Sequence, residues 1–290
     1  MLSAKTRGIL ALTASAFGFA LMAACVRLAD DFGGPISSFQ KSFFRNVVAL
    51  AIALVVFCRA CAVRVPDLPR TAPGWIALVL RSVLGTCGIF SNFYALGKVP
   101  IAEVQTLNKT APFFTVVCAW LLLGERASLR QLGVLLTAFL GVLFVAKPGF
   151  AGDAGFPLGI GLLGGVCAGG AYACVRALKR HAVDSAFIVL FFSAFSCLAS
   201  VPFMVHRFDP MTWQQVVVLF GAGAGAAIGQ FGITAAYGYA APSEIAVYDY
   251  TNILFTAAFG WLLFSQMPDA WSVFGMILVI VAAFRLHHQS

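Results

Sequence analysis

Apolar runs of about twenty residues recur along the whole chain, each bounded by a short polar or Gly/Pro-containing stretch. The hydrocarbon core of a bilayer takes about 20 residues of α-helix, so runs of this length predict membrane-spanning helices. Ten are predicted, over 8–28, 36–57, 73–95, 100–123, 130–146, 158–177, 184–205, 213–238, 243–264 and 270–286. The loops between them are too short for a soluble domain. The first run starts close to the first residue, yet it is longer than an ordinary signal core and belongs to the repeat described next. It is therefore expected to be retained.

The second half of the pattern repeats the first. At a shift of 141, Glu103 falls on Glu244, Asn108 on Asp249, Thr110 on Thr251 and Phe114-Thr115 on Phe255-Thr256, while Trp120-Leu121-Leu122 falls on Trp261-Leu262-Leu263. Near the start of each half, Ala24-Cys25-Val26-Arg27 returns as Ala173-Cys174-Val175-Arg176, at a shift of 149. Five spans per copy is an odd number, so the second copy must enter the membrane inverted. The expected fold is an all-α integral membrane protein, with ten transmembrane helices in two inverted five-helix repeats, 6–147 and 156–287. Such repeats exchange conformations about a pseudo-two-fold axis and carry solutes at their interface. Gly161, Gly165 and Gly169 on span six and Gly221, Gly225 and Gly229 on span eight stand four apart, and span three carries Gly85 and Gly88. These read first as close helix packing.

Composition agrees: 61% of residues are apolar and 10% charged, against about 25% charged in soluble domains. The net charge of +8 sorts by alternate helix ends. Lys5, Arg7, Arg59, Arg64, Arg70, Arg126, Arg130, Lys179, Arg180 and Arg285 fall on one side, and Arg27, Lys98, Lys147 and Arg207 on the other. The positive-inside rule then places both termini in the cytoplasm, in a bacterial inner membrane, with no nucleic-acid partner. All eight cysteines lie in or beside spans, and Cys58-x-x-Cys61 reads as structural.

Ionised groups inside a membrane cost about 2.5–3.5 kcal/mol on insertion scales, so each should face a cavity or a partner. Lys41 and Arg45 on span two, Arg81 on span three, Lys109 on span four and Asp249 on span nine are such groups. On span four, Gln105, Asn108, Lys109, Pro112 and Thr115 share a helical face, as do Asp249, Asn252 and Thr256 on span nine. Other stripes are Arg81, Gly85, Gly88 and Asn92; Gln230, Thr234 and Tyr237; and Gly165, Gly169, Tyr172 and Arg176. Because spans four and nine are repeat equivalents, Asn108 and Asp249 are expected to face each other. The candidate substrate-binding set is Arg81, Asn92, Gln105, Asn108, Lys109, Tyr172, Gln230, Tyr237, Tyr248, Asp249 and Asn252, with Tyr250 beside it. Cations outnumber anions there, which favours a carboxylate-bearing solute, either an organic anion or a zwitterion such as an amino acid. A structural Lys109–Asp249 salt bridge is the alternative. Lys41 and Arg45 divide between site residues and snorkelling anchors, and Glu103 and Glu244 read as helix caps or gate residues.

The stretch Trp120-Leu121-Leu122-Leu123-Gly124-Glu125-Arg126, followed by Gln131-Leu132-Gly133 and Gly141-Val142, resembles the drug/metabolite transporter superfamily and its EamA family. Tyr94-Ala95-Leu96 to Pro100-Ile101-Ala102 is similar to that family's third-to-fourth helix connection. In the second copy Ser265-Gln266 replaces Gly-Glu, a departure from the motif. The resemblance implies a solute carrier with a central cavity lined by both repeats. Partners are then a small-molecule solute and the bilayer, with a homodimer left open and no cofactor. A membrane enzyme is disfavoured: His181, His206, His287 and His288 lie in loops or at the terminus, and no H-E-x-x-H motif occurs. A non-transporting structural or regulatory subunit is the remaining class, though it has no need of cations lined along internal faces.

Overall fold

The computed structural model describes residues 2–96, 98, 101–147, 155–206 and 208–288. At Ser38, Phe93, Leu96, Ile101, Ala102, Glu103, Gln105, His287 and His288 it describes the backbone alone. The elements are α1 (Ala4–Gly33), α2 (Ser38–Val63), α3 (Ala72–Leu96), α4 (Ile101–Asn108), α5 (Ala111–Leu123), α6 (Leu129–Ala146), α7 (Gly155–Arg180), α8 (Ser185–His206), α9 (Trp213–Tyr239), α10 (Pro242–Ile245), a 3-10 helix (Ala246–Thr251), α11 (Asn252–Phe264) and α12 (Ala270–His288). No strand occurs among the described residues.

Local chemistry sets the ends. Ser3 caps α1 by accepting the Thr6 N–H, and Ser128 with Gln131 and Thr212 with Gln215 form capping boxes at α6 and α9. Gly124 closes α5 in a left-handed conformation. The Glu244 carboxylate accepts the Ala241 N–H at 3.2 Å and so caps the start of α10.

Among the described residues eight segments are long and apolar enough to cross a bilayer, and they coincide with predicted spans one to eight. The tenth prediction meets a shorter apolar helix, Ala270–Leu286. The ninth is divided into α10, the 3-10 helix and α11, and the fourth into α4 and α5. Neither is the continuous helix that the polar stripes assumed.

Helix pairing crosses between the halves and comes in exchanged counterparts. α1 packs on α9 while α3 packs on α7; α5 packs on α7 while α11 packs on α1; α2 pairs with α8 and α6 with α12. Glycine faces make the contacts. A Cβ on Gly18 would come within 2.6 Å of the Gly229 nitrogen, and one on Gly169 within 2.8 Å of the Ala111 carbonyl oxygen. Where lipid supplies no hydrophobic drive, such backbone approach holds helices together. The molecule is inside-out relative to a soluble protein. Leu54, Leu121, Leu198, Val217 and Leu262 are exposed, while Gln40, Arg81, Thr86, Ser193, Gln230 and Thr234 are buried.

Candidate functional site

The two helix breaks form by matched chemistry. The Thr110 hydroxyl donates to the Leu107 carbonyl at 2.6 Å, and the Thr251 hydroxyl to the Tyr248 carbonyl at 2.7 Å. A hydroxyl that satisfies a nearby carbonyl offers the backbone an alternative to the helical ladder. In the first half Pro112 adds to the break, because it has no N–H for the Asn108 carbonyl and its ring crowds that oxygen. Ile253 stands at the matching position in the second half, where the chain tightens into 3-10 turns instead. The helices then restart alike, with Thr115 bonded to the Ala111 carbonyl and Thr256 to that of Asn252, both at 2.8 Å.

The halves touch at these breaks. Lys109 Nζ donates to Asn252 Oδ1 at 2.6 Å, and Asn252 Nδ2 donates to the Ala16 carbonyl of α1 at 2.8 Å. Among the described residues no ion pair joins Lys109 to Asp249; the carboxylate lies within the field of the ammonium without contacting it. An amide therefore takes the place expected for the salt bridge. Asp249 sits amid Tyr172, Tyr237 and Tyr250, with the Tyr172 and Tyr237 rings 6.1 Å apart between centroids. Tyr250 is fully buried, and its hydroxyl has no hydrogen-bond partner among the described residues.

A second part of the cluster lies between α3, α8 and α9. Arg81 Nη2 donates to Gln230 Oε1 at 2.6 Å, and the guanidinium lies 3.7 Å from the centroid of the Phe192 ring. Gly85 leaves the room, since a Cβ there would fall 2.8 Å from Phe192. Arg45 is buried rather than snorkelling to an interface, whereas Lys41 pairs with Asp30 at 2.6 Å. Tyr172 is within electrostatic range of Arg45, Arg81 and Asp249 together.

Of the predicted residues, Arg81, Lys109, Tyr172, Gln230, Tyr237, Asp249 and Asn252 thus gather in one interior region. Tyr248 does not: its hydroxyl donates to the Ala283 carbonyl of α12 at 3.1 Å, because the 3-10 turn rotates it away from Asp249. Asn92 lies about 16 Å along α3 from Arg81, at the α7 seam, with its side-chain oxygen buried and unpartnered. Asn108 is half-buried at the end of α4, and no hydrogen bond links it to Asp249 among the described residues. The Gln105 side chain lies outside the described residues. Phe192 was missed, since one ring among 28 phenylalanines carries no sequence signal.

Each end of the assembly is tied by a crosswise pair. Arg176 Nε donates to Glu125 Oε1 at 2.8 Å, with Arg180 Nε 3.4 Å from the same oxygen. At the other end Arg27 Nη1 donates to Gln266 Oε1 at 3.0 Å, and its guanidinium lies 4.3 Å from the Phe264 ring centroid. The repeated arginines thus meet the two versions of the Gly-Glu turn.

A membrane-embedded helical assembly with breaks and buried charge at the contact of its halves is the architecture of a solute carrier. The family model described as "EamA-like transporter family" matches residues 6–147 and 156–286, and the chain belongs to this family. It is 29% identical over 282 residues to the Pseudopaline exporter CntI of Pseudomonas aeruginosa, covering 96% of this chain and 95% of that protein. It is 28% identical to a Riboflavin transporter of Brucella anthropi, over 92% and 94% of the two chains. A solved protein crystal structure matches with a TM-score of 0.76 at 17% identity, covering 93% of this chain and 95% of the other, and so shares the fold. The chain is a multi-pass membrane transporter rather than an enzyme.

Proposed function

We propose that the protein is an inner-membrane secondary transporter that moves a small carboxylate-bearing solute, an amino acid, other zwitterion or organic anion, by alternating access. The solute occupies a central cavity between two inverted five-helix repeats, and both termini face the cytoplasm. One observation carries the reading: the Lys109–Asn252 bond joins the break points of two repeat-equivalent helices, with Asp249 beside it. Broken helices expose polar backbone ends, and these are how transporters bind solutes far from water. The exchanged helix pairings support the inverted arrangement, and the excess of interior cations supports the carboxylate.

The test is a thermal-shift screen of purified protein against amino acids, organic acids, nucleotides and vitamins, followed by flux of each hit in proteoliposomes. A hundredfold excess over Kd stabilises the folded state by about 2.7 kcal/mol. Lys109→Ala and Asp249→Asn are expected to abolish that stabilisation and the flux. A solute that stabilised both variants as strongly as wild type would remove the site from the repeat interface.

A further inference from the structure

Arg45 and Arg81 remain once Lys109 has its amide partner. They are 9% and 1% exposed, and neither has a carboxylate within ion-pair distance among the described residues. The Nε–H of each is buried with no acceptor. Arg81 uses one nitrogen on Gln230, and Arg45 makes no hydrogen bond to a described residue. Buried charges are as a rule paired or fully hydrogen-bonded, so two such guanidiniums within electrostatic range of one another are groups waiting for an anion.

Their placement says which anion. Tyr172 lies within electrostatic range of Arg45, Arg81 and Asp249, and Asp249 within that of Lys109. Three cations therefore stand against a single carboxylate. A simple amino acid, with one carboxylate and one ammonium, leaves the excess of positive charge as it was. Resting on the transporter reading above, we infer that Arg45 and Arg81 form an anion subsite, and that the solute is an aminopolycarboxylate. Its amine faces Asp249 and the tyrosines, one carboxylate meets Lys109, and the further carboxylates meet the guanidinium forks. Arginine suits this role because its planar donors match a carboxylate two at a time. Gln230 and Phe192 fix the Arg81 fork in place before the solute arrives.

The experiment uses a graded series: glycine, iminodiacetate and nitrilotriacetate, a single amine carrying one, two and three acetate arms. The apparent melting temperature of the purified full chain is read in metal-free buffer at about pH 7, where carboxylates are ionised. O-phosphoserine is run beside them, since phosphate meets the same fork. Stabilisation is expected to climb through the series, the apparent Kd tightening about tenfold per added carboxylate. The climb should flatten in Arg45→Gln and be partly kept in Arg45→Lys, which retains the charge and loses the Nε–H. Each variant's unliganded melting temperature sets its own baseline, and the Lys variant carries the test if the Gln variant fails to fold. An equal response to all three compounds, no response to any, or a climb that survives in Arg45→Gln overturns the subsite. A larger response to O-phosphoserine than to nitrilotriacetate overturns the carboxylate assignment. A flat series alongside a monocarboxylate that still needs Lys109 sinks the subsite alone, whereas binding indifferent to both Lys109→Ala and Asp249→Asn sinks the transport-site reading as well.

Discussion

Ser265 adopts φ 52° and ψ 28°, the left-handed conformation that Gly124 adopts at φ 69° in the first half. Both turns close alike, Gly124 N–H on the Trp120 carbonyl at 2.9 Å and Ser265 N–H on that of Trp261 at 3.1 Å. A Cβ in this region costs about 1 kcal/mol, and glycine removes the cost at some expense in unfolded-state entropy. Ser265→Gly is therefore expected to raise stability by about 0.5–1 kcal/mol, read as a higher melting temperature, and Gly124→Ala to lower it by a similar amount. An unchanged melting temperature in both would mean that the turns carry no strain. In the sequence, Ser265-Gln266 looked like loss of a motif. The turn is in fact kept, because its geometry depends on backbone bonds that a serine can still make. The partners of that turn were not legible: Arg27 and Gln266 lie 239 positions apart and meet only through the crosswise packing.

At the scale of elements, hydropathy located spans one to eight because length and apolar character decide what crosses a bilayer. It missed the interruptions, since a stripe at helical spacing presumes an unbroken ladder. Pro112 was the visible signal for the first break. The second has no proline, and its threonine bond to Tyr248 is a feature many continuous helices share. The glycine faces were readable as packing, and the structure separates them by consequence. A Cβ on Gly225 would fall 2.8 Å from the Gly18 carbonyl oxygen and the Met22 nitrogen, so Gly225→Leu must push α1 from α9, an overpacking cost of about 1–3 kcal/mol or more. Gly133 on α6 has nothing within 4 Å of its would-be Cβ, so Gly133→Ala is expected to be neutral or to add up to about 1 kcal/mol. Melting temperature and monodisperse yield in detergent read both. Equal tolerance of the two substitutions would count against the close α1–α9 seam.

Across the whole molecule, the two tied ends differ in kind. At one end Glu125, largely buried, bonds to Arg176 and lies close to Arg180, while at the other a neutral amide receives Arg27. Both ties use a charged arginine donor, but only the Glu125 tie adds the attraction of an opposite full charge. Removing one member of a buried pair also strands the other charge. Under the alternating access proposed above each tie would open in turn, and the difference would bias which side opens more readily. In the orientation proposed above, with both termini in the cytoplasm, the Glu125 end would be the cytoplasmic one. Glu125→Gln is expected to loosen that end, raising hydrogen exchange in the last turns of α5 and α7 and shifting the population about tenfold for each 1.4 kcal/mol lost. Gln266→Glu should do the reverse, giving Arg27 an ionised partner and slowing exchange at the ends of α1 and α11. The double exchange moves the charged tie to the other face, so the initial rates of solute entry and exit in proteoliposomes should change in opposite senses. If exchange at both ends stays at the wild-type level in all three variants, the ties only brace the fold and the bias toward one face has another origin.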